Sequence, residues 1–262
     1  MPKRPNRDIT AVVRELCLSF PEAEEVAAHG MSNFRVRGKI FSVYALNHHG
    51  DGRIALWLNA PAGAQSLYVR EEPRHFFVPP YVGPRGWLGV LLDRGLAWGR
   101  IAELVREAYE KVAPAKLSQQ IGKPKRIRPP SVPLRPETID PFASKRGVAV
   151  LQAMRGFCLA LPETSEARQF GHPVWRVGKK VFARAISRER GIGVAFWVGR
   201  AQQGLFTADP LFSVPPYIGH TGWIELDVAK SADWKVVRSL IAQSYRHYAS
   251  KRVLRVMDLP LV

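Results

Sequence analysis

The chain is poor in cysteine, in long apolar runs and in acidic residues. Only two cysteines occur in 262 residues, too few for a disulfide framework in a chain of this length. No run approaches the roughly 18 apolar residues of a membrane-spanning helix, and residues 1–7 are not followed by the apolar stretch of a signal peptide. We therefore expect a cytoplasmic protein with no membrane partner.

The sequence also lacks the local signatures of common catalytic and metal sites. It has no P-loop, no GxGxxG, no HExxH and no paired CxxC. Its histidines are scattered, and the acidic oxygen ligands that iron prefers are concentrated only at Glu22, Glu24 and Glu25 in the first half. We predict no catalytic residue, no metal site and no cofactor, and we interpret the protein as non-enzymatic. A hydrolase or transferase that works in a cleft near His172 stays open as a third class of function, with no motif behind it.

What the sequence does contain is an internal duplication. Residues 79–87 read PPYVGPRGW and residues 215–223 read PPYIGHTGW. Cys17 matches Cys158, Trp57 is aligned with Trp197, and the match extends to the C-terminal helix of each copy. A period near 140 residues is long enough for each copy to have its own core. We predict residues 1–115 as repeat 1, residues 116–146 as a basic proline-rich linker that is extended and unpacked, and residues 147–262 as repeat 2.

Each copy shows the same succession of periodic patterns. An amphipathic helix is followed by a hairpin, a further strand, a short helix, the Pro-Pro-Tyr loop, a strand that begins at a tryptophan and a final amphipathic helix. In repeat 1 the hairpin comprises residues 34–36 and 40–46. This order predicts an α+β fold, an antiparallel sheet with helices packed on one face. Both cysteines lie on apolar helix stripes, and we expect them in the cores.

The same features resemble the MmcQ/YjbR family, whose fold is similar to that of the frataxin homologue CyaY. The resemblance is carried by FPE at 20–22 and LPE at 161–163, the basic hairpins, the PPYxGxxGW runs, and Tyr109 or Tyr245. It covers about residues 8–117 and 148–254. It implies a tandem duplication of a CyaY-like domain and, because the family is named as DNA-binding from a proposed double-wing surface, a DNA-binding function.

The charge of the chain points in the same direction without reference to the family. The formal net charge is +17 and the sequence pI is near 10.4. Residues 1–113 carry 15 basic and 12 acidic side chains, residues 114–146 carry 8 and 2, and residues 147–262 carry 16 and 8. A protein this basic attracts polyanions, since each neutralised phosphate releases condensed counterions.

The candidate contacts are basic residues on the two hairpins and the linker. Exposed charges are also normal on a solvated strand face, and the linker is explained as a spacer, with a basic strap on nucleic acid as the alternative. The prolines, glycines and tryptophans of the loop suit a packing role, which we expect for Trp87 and Trp223. The nucleic-acid-binding candidates are Arg35, Arg37, Lys39, Arg176, Lys179, Lys180, Arg184, Lys123, Lys125, Arg126 and Arg128, and the loop candidates are Tyr81, Arg85 and Tyr217.

Two non-enzymatic hypotheses remain open at this point. In the first, the protein binds DNA or RNA mainly through phosphate contacts, with little readout of base sequence. In the second, two pseudo-symmetric domains form an intramolecular pseudo-dimer that acts as a scaffold for a protein partner or a small ligand.

Overall fold

The chain folds as two compact units, residues 1–135 and 136–262. The computed structural model describes residues 7–28, 30–122, 127–188, 191–228 and 232–257. Within these residues each unit contains one six-stranded antiparallel sheet together with helices. The α+β fold class and the tandem duplication are therefore confirmed.

Unit 1 begins and ends with helices. The elements are α1 Ile9–Cys17, β1 Ala23–Ala28, β2 Met31–Val36, β3 Lys39–Leu46, β4 Ile54–Leu58, α2 Ala64–Glu71, β5 Phe76–Phe77, β6 Leu88–Leu91, α3 Trp98–Val112 and α4 Ala115–Ser118. The strand order in the sheet is β1-β2-β3-β4-β6-β5.

Unit 2 repeats this succession and adds a helical turn before it. The elements are α5 Pro136–Ile139, α6 Lys145–Cys158, β7 Thr164–Gln169, β8 His172–Val177, β9 Lys180–Arg188, β10 Gly191–Trp197, α7 Arg200–Thr207, β11 Phe212–Ser213, β12 Trp223–Asp227, α8 Trp234–Tyr248 and α9 Lys251–Met257. The strand order is β11-β12-β10-β9-β8-β7, which is the order of unit 1 written from the other edge.

The main core of each unit lies between the sheet and its long helices. In α3, Ile101, Leu104 and Val105 are buried on one stripe, as 3.6-residue periodicity requires. The hydroxyl of Tyr109 donates a hydrogen bond to the carbonyl oxygen of Pro21 at 2.7 Å. The hydroxyl of Tyr245 in α8 donates one to the carbonyl oxygen of Pro162 at 2.8 Å. These bonds explain why a tyrosine stands at this position in both copies.

The predicted core positions of both cysteines are confirmed. Cys17 and Cys158 are free and buried, and burial raises the pKa of each thiol far above its ordinary value. A thiol in that state is a packing residue rather than a nucleophile.

The opposite surface of each sheet, which we call the outer face, carries a smaller apolar cluster. In unit 2, Val194 and Phe196 belong to the main core, whereas Ala195 between them belongs to the second cluster with Trp223. This is the alternation expected of neighbouring residues in a strand. The packing role expected for the tryptophans is confirmed, since Trp87 and Trp223 are 9% and 4% exposed.

The register of the sheets corrects one detail of the sequence alignment. Trp57 was aligned with Trp197, but Trp57 pairs with Gly89 of β6. Gly89 corresponds to Glu225 when the copies are aligned on the Pro-Pro-Tyr run, and Glu225 pairs with Ala195. Ala195 therefore occupies the place of Trp57, so the outer faces of the two units differ more than the alignment indicated.

The segment between the repeats also differs from expectation. We expected residues 116–146 to be extended and unpacked, but its described part includes helical turns and buried apolar side chains, those of Leu117, Ile127, Leu134 and Phe142. The backbone amide of Arg7 donates a hydrogen bond to the hydroxyl of Ser131 at 3.0 Å. Apolar residues spaced along a proline-rich segment are sufficient to hold it against a domain without regular structure.

Candidate nucleic-acid interface

The two predicted hairpins form at the same place in each sheet but turn differently. In unit 1 the turn residues Arg37 and Gly38 both have positive φ, 48° and 76°, as in a type I′ turn. In unit 2 the first turn residue is Gly178 with φ of 57°, and Lys179 follows it. Both hairpins have a register shift after the aromatic residue of the first strand, Phe34 or Trp175.

In unit 1 the hairpin arginines are paired with carboxylates. Arg35 lies opposite Glu24 of β1, and its Nε is 2.7 Å from the Glu24 carboxylate. Arg37 forms an ion pair with Glu22 and donates a hydrogen bond from a guanidinium nitrogen to Glu22 Oε1 at 2.9 Å, and this bond raises the pKa of Arg37. Lys39 is exposed. Most of the positive charge of this hairpin is therefore balanced locally.

In unit 2 the corresponding carboxylates are missing or engaged elsewhere. Arg176 lies opposite Ser165 of β7, the residue that corresponds to Glu24. Glu163, which corresponds to Glu22, pairs instead with Arg252 of α9. Across the described ranges, neither Arg176 nor the exposed Lys179 and Lys180 forms an ion pair. We call these three residues the basic hairpin of unit 2.

Arg184 lies behind this hairpin on the outer face. It pairs with Val174 of β8 and with Ala195 of β10, so it takes the place that Val43 has in unit 1. The guanidinium carbon of Arg184 is 5.6 Å from the ring centre of Trp223, which is within cation–π range. Burial and, to a smaller extent, the charge of Arg176 lower the pKa of Arg184.

The Pro-Pro-Tyr loops are held in the same way in both units. The side-chain amide of Gln65 in α2 donates hydrogen bonds to the carbonyl oxygens of Gly83 and Trp87, and Gln203 in α7 donates to the equivalent oxygens of unit 2. The loop tyrosines are directed outward, with Tyr81 66% and Tyr217 83% exposed. Both have positive φ, 63° and 66°, a conformation that costs a non-glycine residue energy.

The surroundings of the two loop tyrosines are not equivalent. The hydroxyl of Tyr81 is 3.0 Å from Nε2 of His49, and the ring of His48 packs edge-on against Trp57. Burial lowers the pKa of His48, and the neighbouring His49 lowers it further. This cluster was not foreseen, because adjacent histidines in a turn give no indication of which strand they fold against. Arg85 is exposed within the Pro-Pro-Tyr loop of unit 1.

The linker candidates are only partly within the described chain. Lys123, Lys125 and Arg126 lie outside the described residues. Arg128 is exposed, next to the buried Ile127, so the packing of the segment places this charge on the surface of unit 1.

None of the helices in the described part of the chain is both long enough and apolar enough to span a membrane. Within the same ranges, no three histidine, cysteine or acidic side chains lie close enough together to hold a metal ion.

Comparison with known proteins identifies a family for this chain but gives no information on a ligand. The chain matches the family model described as YjbR over residues 18–111 and 159–247, one segment in each unit. No curated protein matches it significantly. A similar solved structure is the crystal structure of Deinococcus radiodurans protein DR2400, family-model domain DUF419, with 17% identity, covering 42% of this chain and 88% of that chain, at a TM-score of 0.36.

Proposed function

Since the chain belongs to the YjbR family as two tandem copies, we propose that it binds DNA or RNA through the phosphate backbone, with unit 2 as the main contact. The observation that carries this proposal is the contrast between the hairpins. Arg35 and Arg37 already have carboxylate partners, whereas Lys179 and Lys180 are exposed cations without one in the described structure. Unpaired cations are available to replace the counterions of a phosphate chain.

The proposed binding is electrostatic and tolerant of sequence. A hairpin tip with Lys179 in its two-residue turn and Lys180 directly after it reaches phosphates more readily than base edges, and phosphate contacts position a protein without reading sequence. Exposed Tyr217, on the loop of the same unit, is suited to stack on an unpaired base. Arg128 is a secondary contact from unit 1. We also infer that the protein acts in the cytoplasm, which agrees with two free, buried cysteines.

The test compares two charge-removing variants of the full chain. Lys179→Gln with Lys180→Gln removes two charges from the hairpin tip, and Lys235→Gln with Arg238→Gln removes two from the exposed side of α8. Binding to a labelled duplex and a labelled single strand is measured by fluorescence anisotropy over a range of salt concentrations. We expect the hairpin variant to reduce the slope of log affinity against log salt by about two, and the α8 variant to leave it nearly unchanged.

Equal losses in the two variants would mean that only net charge matters, and the hairpin assignment would then be wrong. Absence of binding by the unaltered chain at low salt would refute the nucleic-acid function itself. In that case the scaffold hypothesis would remain, to be pursued by identifying proteins that bind the purified chain.

A further inference from the structure

Two arginines of unit 2 are held on the outer face with unsatisfied donors. The Nε atoms of Arg176 and Arg184 are both buried, and neither has a hydrogen-bond partner. Neither side chain forms an ion pair within the described ranges. Arg184 pairs with Val174, two residues before Arg176 on β8, so the two side chains lie on the same face of the sheet, and the charge of Arg176 lowers the pKa of Arg184. A buried donor left without an acceptor costs free energy, more so when it is charged, so this arrangement is unfavourable unless an anion completes it.

The comparison with unit 1 shows that the fold does not impose this arrangement. Unit 1 has Val43 at the place of Arg184 and Glu24 opposite the first arginine, so it has one arginine with a carboxylate 2.7 Å away. Unit 2 has a second arginine and Ser165 opposite the first. Arg184 in place of Val43 and Ser165 in place of Glu24 each make the local charge more positive. The strand pairing is intact at both positions.

The surroundings hold Arg184 in position. Its guanidinium lies over Trp223, whose indole Nε1 donates a hydrogen bond to the hydroxyl of Tyr248 at 3.1 Å. Tyr248 and Val181 pack against the same small cluster. The nearest acidic residue along the pairing row is Glu225, which lies beyond Ala195 and has interactions of its own. Among the residues that the structure describes, Arg184 is therefore supported by aromatic packing and not by a carboxylate.

We propose that Arg176 and Arg184, the arginine pair, form a binding site for a phosphate dianion, either inorganic phosphate or the phosphomonoester of a larger molecule. Guanidinium groups offer parallel N–H donors that match phosphate oxygens, and they bind oxyanions more specifically than lysine does. Two positive charges balance a dianion, whereas the internal phosphate of a nucleic acid carries a single charge. The site shares Arg176 with the basic hairpin of unit 2 but does not depend on nucleic-acid binding.

The direct test is titration of the full chain with inorganic phosphate at constant ionic strength, followed by calorimetry and by the fluorescence of the tryptophans. We expect one saturable site per chain and a rise in the melting temperature with phosphate, as for any ligand that binds the folded state. Arg184→Val and Ser165→Glu should each weaken phosphate binding by about ten-fold or more. Arg35→Gln, the matched change in unit 1, should leave it unchanged.

Each outcome decides the matter. Absence of saturable binding by the unaltered chain, or binding that survives both Arg184→Val and Ser165→Glu in folded protein, overturns the proposal. Circular dichroism confirms folding, and Val is the residue that unit 1 carries at this place, so Arg184→Val suits the strand. Equal weakening by Arg35→Gln would also overturn it, because the effect would then be one of net charge.

A second pair of probes identifies the source of the phosphate and separates this proposal from the nucleic-acid function. The affinities of two oligonucleotides that differ only in a 5′-phosphate are compared. If the chain prefers the phosphorylated form and Arg184→Val removes this preference, the site binds strand ends. If there is no preference, the site binds free phosphate. Lys179→Gln with Lys180→Gln should reduce duplex binding while inorganic phosphate still binds. If that variant loses phosphate binding as well, the arginine pair is not a separate site.

Discussion

The two units have the same fold and conserve an ion pair between a helix and the edge strand, but they differ in the charges around the hairpin. Arg14 pairs with Glu25 at 2.9 Å, and at the same places in unit 2 Arg155 pairs with Glu166 at 2.7 Å. The next carboxylate along the edge strand is present only in unit 1, where Glu24 pairs with Arg35. Duplication has therefore kept the contact that fastens a helix to the edge strand and changed the contact that sets the charge of the hairpin.

This difference indicates a division of roles. A paired arginine is already satisfied, so a ligand must compete with its carboxylate, whereas an unpaired arginine gains a partner when an anion binds. Unit 1 instead has an apolar outer face around Trp57, with the histidine and Tyr81 cluster beside it. Matched substitutions in the two units should therefore have unequal effects.

The largest difference is expected at a glycine that both units share. Gly86 and Gly222 end the turn of the Pro-Pro-Tyr loop with φ of 81° and 99°. A Cβ at Gly86 meets nothing within 4 Å, but one at Gly222 lies 2.8 Å from the Cα of Gly199 and 2.9 Å from the backbone nitrogen of Arg200. Both alanine variants incur left-handed strain of about 1–2 kcal/mol, and only Gly222→Ala adds a backbone clash, worth about 1–3 kcal/mol.

Urea unfolding with hydrogen exchange, which resolves the two units, measures both variants. We expect Gly222→Ala to destabilise unit 2 by about 2–5 kcal/mol and Gly86→Ala to destabilise unit 1 by about 1–2 kcal/mol. Equal losses of stability in the two variants would show that the backbone clash at Gly222 does not contribute to the effect.

An exchange of edge-strand residues tests the charge comparison itself. Glu24→Ser removes the partner of Arg35, and Ser165→Glu supplies one to Arg176, in the pattern of unit 1. Ser165→Glu should reduce affinity for a duplex about ten-fold at low salt, and Glu24→Ser should raise it by a smaller factor. Anisotropy titrations of both single variants and the double variant measure this. A gain in affinity on Ser165→Glu contradicts the assignment of the hairpin.

Much of this architecture was accessible from the sequence, because it depends on local periodicity. The duplication, the hairpins and the buried tryptophans each follow from repeated patterns of apolar residues and turn residues. The two edge strands were missed. Thr164–Gln169 is mostly polar, Ala23–Ala28 consists of alanines, two glutamates and one valine, and both strands are partly exposed. Neither has the apolar–polar alternation that identifies a half-buried strand.

That omission explains why the balance of charge could not be predicted. Glu24 and Arg35 are eleven residues apart, and only the register of β1 against β2 brings them together. The same holds for Arg184, because its place on the outer face is set by its pairing with Val174 and Ala195. Sequence reasoning identified the basic residues, but which of them are unpaired is a property of strand pairing.

A smaller effect is expected on stability at the arginine pair. Arg184→Val removes a half-buried charge whose Nε has no acceptor and installs a residue with high strand propensity. The loss of the contact with Trp223 opposes part of this gain. We expect unit 2 to become more stable by up to about 1 kcal/mol in buffer without phosphate. Denaturant unfolding checks this, with Val43→Ala in unit 1 as a destabilising control; a loss of stability on Arg184→Val would show that the arginine has partners that compensate it.

The smallest effect concerns His247, whose ring stacks on Trp197 with centres 3.5 Å apart. Burial lowers the pKa of His247, and the charge of Lys180 lowers it further. The unfolded chain therefore binds this proton more readily, so the contribution of His247 to stability decreases as the pH falls through the unfolded pKa of about 6.5. Lys180→Gln should raise the pKa of His247, as measured by NMR titration of its ring, and reduce this sensitivity to acid. The pKa of His48, which is lowered by burial and His49 in unit 1, should not change. An unaltered His247 would mean that Lys180 extends away from the sheet, which would leave it still more available to a phosphate chain.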